Sequence, residues 1–242
     1  MGGRMSSGKL ASTFVLAALL PAHLAAQPHA GVGVAAGTLG IGPQAAVSIL
    51  KLSNIRGGAN FFSYDDDFTK DGVRYNGSLK FRSVQLSWDQ YFPHLGGFHI
   101  SPGALLYDGN SGHATAQVPG GSSFTLGSTT YYSSNANPVN GTGDIMFNKA
   151  APMILLGFGN LVPRSNRHFG VNLDLGVVFQ GTPNAKLNLA GTACLNPAQT
   201  ACLNTSDPTV QANVLAEQNK INKDLVPFRY YPIASLSFSY KF

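Results

Sequence analysis

Two segments of the chain alternate between large apolar residues and residues that are mostly small or polar. In 234–242 the even positions read Ala, Leu, Phe, Tyr and Phe, whereas the odd positions read Ser, Ser, Ser and Lys. In 169–179 large apolar residues occupy every odd position, opposite Gly170, Asn172, Asp174, Gly176 and Val178. Because successive strand residues point to opposite faces, each segment predicts a strand with one apolar and one polar face. Strands that cross a membrane in a barrel require this pattern, with the apolar face toward lipid.

Four further segments fit the same pattern less cleanly. They are 55–64, 78–92, 99–117 and the nearly continuous apolar run 151–160. In 78–92 the alternation changes phase near Arg82 and Ser83, which predicts a β-bulge. Beyond the change, Val84 and Leu86 share one face and Ser87 lies on the other.

The connections between these segments alternate in length. Short connections at 51–54, 94–97 and 164–167 alternate with long ones at 65–77, 119–144 and 182–229. Outer-membrane barrels have short periplasmic turns, long extracellular loops and an even number of strands. The fold predicted is therefore all-β: an antiparallel up-and-down transmembrane β-barrel of about eight strands with long extracellular loops.

The strand count of eight depends on residues 31–50. Either this segment supplies two strands that turn near 37–40, or it is one long strand and 124–132 supplies another. The second arrangement turns the 31–118 region over in the membrane. We favour the first, because it places the short turns in the periplasm.

Residues 1–26 have the pattern of a secretory signal peptide. Arg4 and Lys9 precede a short apolar run at 10–20, and Ala25-Ala26 offers a cleavage site of small residues. The run is shorter than the 18–20 apolar residues, roughly, that a membrane-spanning helix needs. We therefore expect export, with a mature barrel over 27–242.

The composition agrees with a barrel and excludes some partners. Charged residues make up 11% of the chain and Gly occurs 28 times, whereas a typical soluble protein has roughly 25% charged residues. The formal net charge is +5, but Lys and Arg are scattered singly. We therefore expect no nucleic-acid partner.

Several motifs resemble those of known bacterial proteins. Leu236, Phe238, Tyr240 and Phe242 resemble the C-terminal assembly signal of outer-membrane proteins. The chain is also similar to small outer-membrane proteins, broadly OmpA/OmpW-like in architecture, and the segments that carry this resemblance are 37–42, Ala151-Pro152 with Gly157-x-Gly159, 179–183 and Tyr231-Pro232. Position 99 departs from the group, with His in place of Arg.

The resemblance implies a barrel and a location, but no activity. The location is the outer membrane. We also expect the mature protein, released from its signal peptide, to be monomeric and to carry no cofactor. Its partners would be outer-membrane lipid, lipopolysaccharide and the assembly machinery.

His99 and Ser101 are the only residues that suggest catalysis. Their spacing resembles the His-x-Ser of lipid A deacylases of the outer membrane. A hydrolase needs its serine beside a base that a third group orients, and no acidic residue at a convincing spacing completes the set. Pro102 also departs from that family's motif, so we favour two polar lumen-facing residues and a protein that is not an enzyme.

Four charged residues are expected inside the barrel: Arg56, Lys80, Asp89 and Asp174. Buried charges need partners, and about eight strands leave room only for side chains or one small ligand. We therefore favour a salt-bridge network that plugs the barrel over a narrow porin-like path. The protein would have a structural, small-solute channel or binding role; a secreted soluble barrel that binds an apolar ligand is a further alternative.

The long loops contain the remaining candidate groups. Asp65, Asp66, Asp67 and Asp71 form an acidic cluster without the spacing of a calcium-binding EF-hand, so we expect a solvated loop and no metal. In the long loop 184–228, Asp207-Pro208 indicates the start of a short helix over 208–225, with an irregular loop as the alternative. Cys194 and Cys202 are expected to form a disulfide because an exported chain meets an oxidising compartment. Two free thiols and a metal pair are the alternatives.

Overall fold

The computed structural model describes residues 29–70 and 72–242, so the expected signal peptide lies outside the described residues. The elements, in chain order, are the strands β1 (Ala30–Gly37), β2 (Gly40–Leu50), β3 (Ser53–Lys70), β4 (Val73–Tyr91), β5 (Phe98–Asp108), β6 (Ser111–Gln117), β7 (Ser123–Leu126), β8 (Thr129–Ser133), β9 (Asn140–Met146), β10 (Ala151–Gly159), β11 (Phe169–Val178), β12 (Asn184–Ala190), β13 (Thr192–Cys194) and β14 (Cys202–Asn204), the helix α1 (Pro208–Asp224), a short 3-10 helix (Val226–Arg229) and the strand β15 (Tyr231–Lys241).

Eight antiparallel strands of the described chain close into a ring. Their order is β1, β2, β3, β4, β5, β10, β11 and β15, and β15 pairs again with β1. The ring confirms the predicted fold class. It also confirms that residues 31–50 supply two strands, which turn at Thr38-Leu39. The alternative is wrong, because residues 124–132 belong to β7 and β8 of a separate four-stranded sheet.

The ring has an apolar outer surface and a polar inner one. On β15 the side chains of Leu236, Phe238 and Tyr240 are exposed, whereas Ser237 and Ser239 are buried. The same division holds on β11, where Asn172 and Asp174 face the interior. This is the arrangement that a lipid environment stabilises, because apolar side chains then meet hydrocarbon and the closed sheet satisfies its own backbone.

Strands β3 and β4 continue well beyond one end of the ring. The far half of β4 pairs with β6, β6 pairs with β9, and β9 pairs with β12. These strands, together with residues 62–70 of β3, form what we call the extension. Regions 65–77, 119–144 and 182–229 were expected as loops; instead they contain the β3–β4 hairpin and most of the extension.

In the extension the two faces of the sheet exchange their polarity. On β4 the inward positions change from Ser83 and Ser87 within the ring to Tyr75, Leu79 and Phe81 beyond it. The outward positions change from Val84 and Leu86 to residues such as Asn76, Ser78 and Lys80, which suit contact with water. The predicted bulge at Arg82-Ser83 is therefore wrong: the register of β3 and β4 is continuous there, and the sheet changes register between β4 and β5 instead.

A cap covers the end of the extension. It consists of the four-stranded sheet of β7, β8, β13 and β14 and the helix α1. Val210 and Val214 of α1 pack in one buried cluster with Tyr131 of β8 and Val73 of β4. The helix begins where Asp207 accepts a hydrogen bond from the Thr209 amide at 2.8 Å.

The helix also protects an exposed strand edge. Two amide side chains of α1, on Asn222 and Gln218, accept hydrogen bonds from the backbone N–H groups of Ala185 and Leu187 on β12. Free strand edges promote unwanted pairing with other chains, and here the helix occupies those donors. No helix among the described residues is long and apolar enough to cross a membrane.

Candidate functional site

Arg56 on β3 lies at the centre of a buried polar cluster inside the barrel. Its guanidinium group, 1% exposed, donates at 2.9 Å to Asp89 and also pairs with Asp174. Its Nε donates to the Ser87 hydroxyl at 3.3 Å. Two carboxylates thus share one guanidinium, and their bonds connect β3 with its neighbour β4 and, across the lumen, with β11.

The two carboxylates are held by further donors. Ser101 donates its hydroxyl hydrogen to Asp89 Oδ1 at 2.7 Å, and Asn172 donates to Asp174 Oδ2 at 2.7 Å. Nε2 of His99 lies 3.2 Å from Asp174 Oδ1. A buried charge is costly unless several partners satisfy it, and four barrel strands contribute partners here.

Gly157 allows His99 and Asp174 to meet. These two residues lie on β5 and β11, which are separated by β10, and Gly157 of β10 pairs with both of them in the sheet. A side chain at this position would overlap the His99 ring and the Asp174 carboxylate. The missing side chain thus creates the space that the contact crosses.

The geometry of His99 and Ser101 gives the hydrolase hypothesis no support. Both residues are 0% exposed. In the described structure Ser101 donates to Asp89, while Nδ1 of His99 lies 3.1 Å from the Gly97 carbonyl oxygen. A nucleophile needs a base within hydrogen-bond reach and access to substrate, and these side chains instead support Arg56.

The structure places Arg56, Asp89 and Asp174 together, but it places Lys80 elsewhere. The expectation that Lys80 faces the lumen is wrong. Its side chain is exposed on the outer face of β4, in the extension. The cause is the exchange of polarity, since the outward positions of β4 beyond the ring carry polar and charged residues.

Two further layers fill the lumen on either side of the cluster. Toward the extension lies a layer of buried apolar side chains: Leu39, Leu105, Ala151, Met153, Leu155, Val178 and Ile233. The cavity between this layer and Asp174 measures about 10 Å³, which is space for about one water molecule.

At the opposite end, the turn between β10 and β11 folds into the barrel mouth. Leu161 and Val162 are buried there against Ala46. The Lys241 ammonium group holds the turn by donating to the carbonyl oxygens of Pro163 and Ser165 at 2.8 and 2.6 Å. Side chains therefore close the lumen at three levels.

Sequence reasoning missed several members of these layers. Leu161 and Val162 follow the apolar run 151–160 and continue it after the single polar residue Asn160, a signal that the turn is not a solvated loop. Asn172 was assigned to the polar face of its strand, but its hydrogen bond to Asp174 was not predicted. The available signal was their i, i+2 spacing, which places both side chains on one face of the strand. Gly157 gave no chemical signal, because its role depends on the two strands beside it.

A second candidate site lies in the extension, above the closed lumen. The inward face of the extension and α1 enclose an apolar cavity of about 360 Å³. A neighbouring cavity of about 220 Å³ lies beneath the cap, and the two share Ala114, Gly143 and Leu187 in their linings. Pockets of such volumes accommodate small organic molecules.

The described residues do not assemble a metal site. Within 29–70 and 72–242, no three side chains of His, Cys, Asp or Glu are grouped so that they could hold a metal ion. Asp65, Asp66 and Asp67, expected in a loop, lie on β3 and alternate between its two faces.

Comparison with other proteins identifies the fold. Neither models of protein families nor curated protein sequences give a match. Among solved structures the chain is similar to CarO of Acinetobacter baumannii, with a TM-score of 0.54 and 22% identity over 88% of this chain and 97% of that one. It is also similar to CarO2 of the same organism, with a TM-score of 0.55 and 20% identity over 89% and 100% of the two chains. The chain therefore has the fold of these outer-membrane β-barrel proteins.

Proposed function

We propose that this protein is a non-conducting outer-membrane barrel that anchors a rigid extracellular binding module. The barrel would cross the membrane, and the extension with its cap would stand on the outer side. The fold of the CarO structures supports an outer-membrane protein. The proposal also includes the resemblance to OmpA/OmpW-like proteins that the sequence motifs indicate.

The observation that carries the non-conducting role is the closed lumen. The Arg56 cluster connects four strands, an apolar layer lies above it, and the 160–168 turn fills the mouth below it. A solute path would need to break a buried ion pair, which costs about 3–5 kcal/mol when one partner is lost. An eight-stranded barrel has an interior that side chains can fill, and here they do.

The outer surface fits the proposed partners. Exposed apolar side chains on the ring suit lipid, and Leu236, Phe238 and Tyr240 belong to that band. Just beyond the band, Arg82 and Lys80 are exposed on the outer face of β4. Cations at this height suit the phosphate groups of lipopolysaccharide. The proposal includes two further parts. Leu236, Phe238, Tyr240 and Phe242 act as the assembly signal, and residues 1–26 are removed.

The test is electrical recording of the refolded protein in planar lipid bilayers. We expect no unitary conductance steps from the wild-type protein, whereas a general porin recorded in the same bilayers gives them. A variant with Arg56, Asp89 and Asp174 all replaced by Ala removes one of the three closing layers, and its conductance should stay far below that of the porin because the other two layers remain. Heat-dependent gel mobility would establish folding before each recording.

A matched variant controls for the loss of charge. Lys80→Ala removes a cation from the outer face and should remain as silent as the wild-type protein. Regular unitary steps from the wild-type protein would overturn the non-conducting role, whatever the triple variant does.

A further inference from the structure

The apolar cavity of the extension contains a single inward-facing charged side chain among the described residues. Its floor consists of Gly77, Gly112 and Gly143, which lack side chains and leave the space open. Apolar groups such as Leu187 and Ile221 line the sides. Tyr64 and Asp66 of β3 also line this cavity, and both side chains are exposed.

The alternation of β3 places Asp66 on the inward face. It shares that face with Arg56 and Asn60 of the same strand, which are buried in the barrel. Within the described residues no side chain donates a hydrogen bond to the Asp66 carboxylate. Asp65 lies on the opposite, outward face, as does Asp67, which accepts a hydrogen bond from Asn76 at 2.7 Å.

The other charged residues around the cavity lie on outward strand positions. His113 Nδ1 and Asp144 Oδ1 are 2.7 Å apart on the outer face, and Lys186 is the sheet partner of Asp144. The side chains of His113 and Asp144 are about half exposed at these outward positions, at 50% and 45%. Among the charged residues of the lining, Asp66 is thus the one whose strand position faces the cavity.

Tyr64 adds a second group that attracts a cation. It lies two residues from Asp66 on the same face and lines the same cavity, with half of its side chain exposed. Aromatic faces attract ammonium groups as well as apolar ones. A carboxylate beside an aromatic ring, above an apolar floor, favours a ligand with one positive charge and an apolar body.

We propose that this cavity binds a small amphiphilic cation, an organic amine whose apolar body lies over the glycine floor and whose ammonium group pairs with Asp66. The proposal deepens the binding role suggested above and rests on the extension being an accessible binding module. It does not depend on whether the barrel conducts.

The test compares three probes of nearly the same shape: 4-phenylbutylamine, 4-phenylbutanol and 4-phenylbutyrate. Their binding would be measured by calorimetry to the folded protein in nanodiscs of phosphatidylcholine, with empty discs subtracted. We expect the amine to bind about fivefold more tightly than the alcohol, the size of effect given by one solvent-accessible ion pair. The carboxylate should bind more weakly than the alcohol.

Neighbouring residues on β3 provide the matched control. Asp66→Asn should abolish the preference for the amine, whereas Asp65→Asn removes the same charge from the outward face and should preserve it. Gly112→Leu should weaken the amine and the alcohol alike, because a side chain there fills the cavity and its first carbon meets only ordinary contacts, at 3.6 Å or more.

Two results would overturn the proposal. One is equal affinity of the wild-type protein for the amine and the alcohol, and the other is equal loss of preference in the Asp65 and Asp66 variants. Channel activity of the wild-type protein, by contrast, would overturn the non-conducting role and leave this site in place.

Discussion

At the scale of single residues, the interior of the barrel depends on groups that are costly to bury alone. Arg56 balances Asp89 and Asp174, and His99 reaches Asp174 through the space left by Gly157. Removing one charged member leaves its partner with a buried charge that is incompletely satisfied. The cluster therefore tolerates substitution less well than an apolar core of the same size.

Gly157→Ala should destabilise the barrel by about 2 kcal/mol or more, because the new methyl group overlaps the contact between His99 and Asp174. The free energy of unfolding in urea, followed by Trp88 fluorescence in lipid vesicles, would measure the loss. Gly57→Ala is the control: it adds a methyl group to a ring strand where the nearest atoms lie at 3.8 Å. Equal effects of the two substitutions would contradict the role of Gly157.

The sequence predicts the members of this cluster better than their contacts. Arg56, Asp89 and Asp174 could be assigned to inward faces because period-two alternation places them there. Their pairing could not be predicted, since Arg56 and Asp174 are far apart in the chain and meet only when the ring closes. His99 and Ser101, whose spacing suggested catalysis, also belong to this cluster.

At the scale of elements, β3 and β4 show why alternation alone is ambiguous. Each strand keeps one continuous register, yet its outward face is apolar in the ring and polar in the extension. Lys80 was misplaced for this reason, because its prediction assumed a single kind of surroundings along the strand. Period two fixes which residues share a face, but the surroundings of that face decide which residue types it carries.

The height at which the polarity changes can be tested with one substitution made at two places. Leu86→Lys puts a charge on the outward face within the apolar band and should lower the stability of the folded protein by about 2–4 kcal/mol. Asn76→Lys puts the same charge on the same face of β4, ten residues earlier, and should leave stability nearly unchanged. The measurement is the fraction that refolds into lipid vesicles in increasing urea.

If both Lys variants refold equally well, the outward face of β4 does not meet lipid at Leu86 and the assignment of the apolar band is wrong. Failure of both would instead place the extension within the membrane.

At the scale of the whole molecule, the ring and the extension form one continuous structure, whereas the cap is added to it. β3 and β4 run through both ring and extension, and each cap strand is confined to the cap. The expected disulfide joins Cys194 of β13 to Cys202 of β14, so the loop that it closes lies wholly within the cap. Because the two cysteines are bonded to each other, the alternatives of two free thiols and a metal pair are wrong.

Replacing both cysteines by Ser should loosen the cap without preventing assembly of the barrel. In the chain-entropy model a loop of this size is stabilised by about 2–3 kcal/mol, and that contribution is local here. We expect unchanged heat-dependent gel mobility and faster proteolysis within 195–201. A double variant that no longer folds would show that barrel assembly depends on the cap.

The way the chain enters and leaves the cap has an evolutionary consequence. Val118 donates its amide hydrogen to the Val139 carbonyl oxygen at 2.9 Å, and Thr205 donates likewise to Gly191 at 3.1 Å. The chain thus enters and leaves the cap in two excursions, 119–138 and 192–204, and each of them starts and ends at neighbouring points of the backbone. Insertions, deletions or wholesale replacement of 119–138 and 192–204 leave the hydrogen bonds of every ring strand intact, so divergence in length among homologues should concentrate in these two excursions.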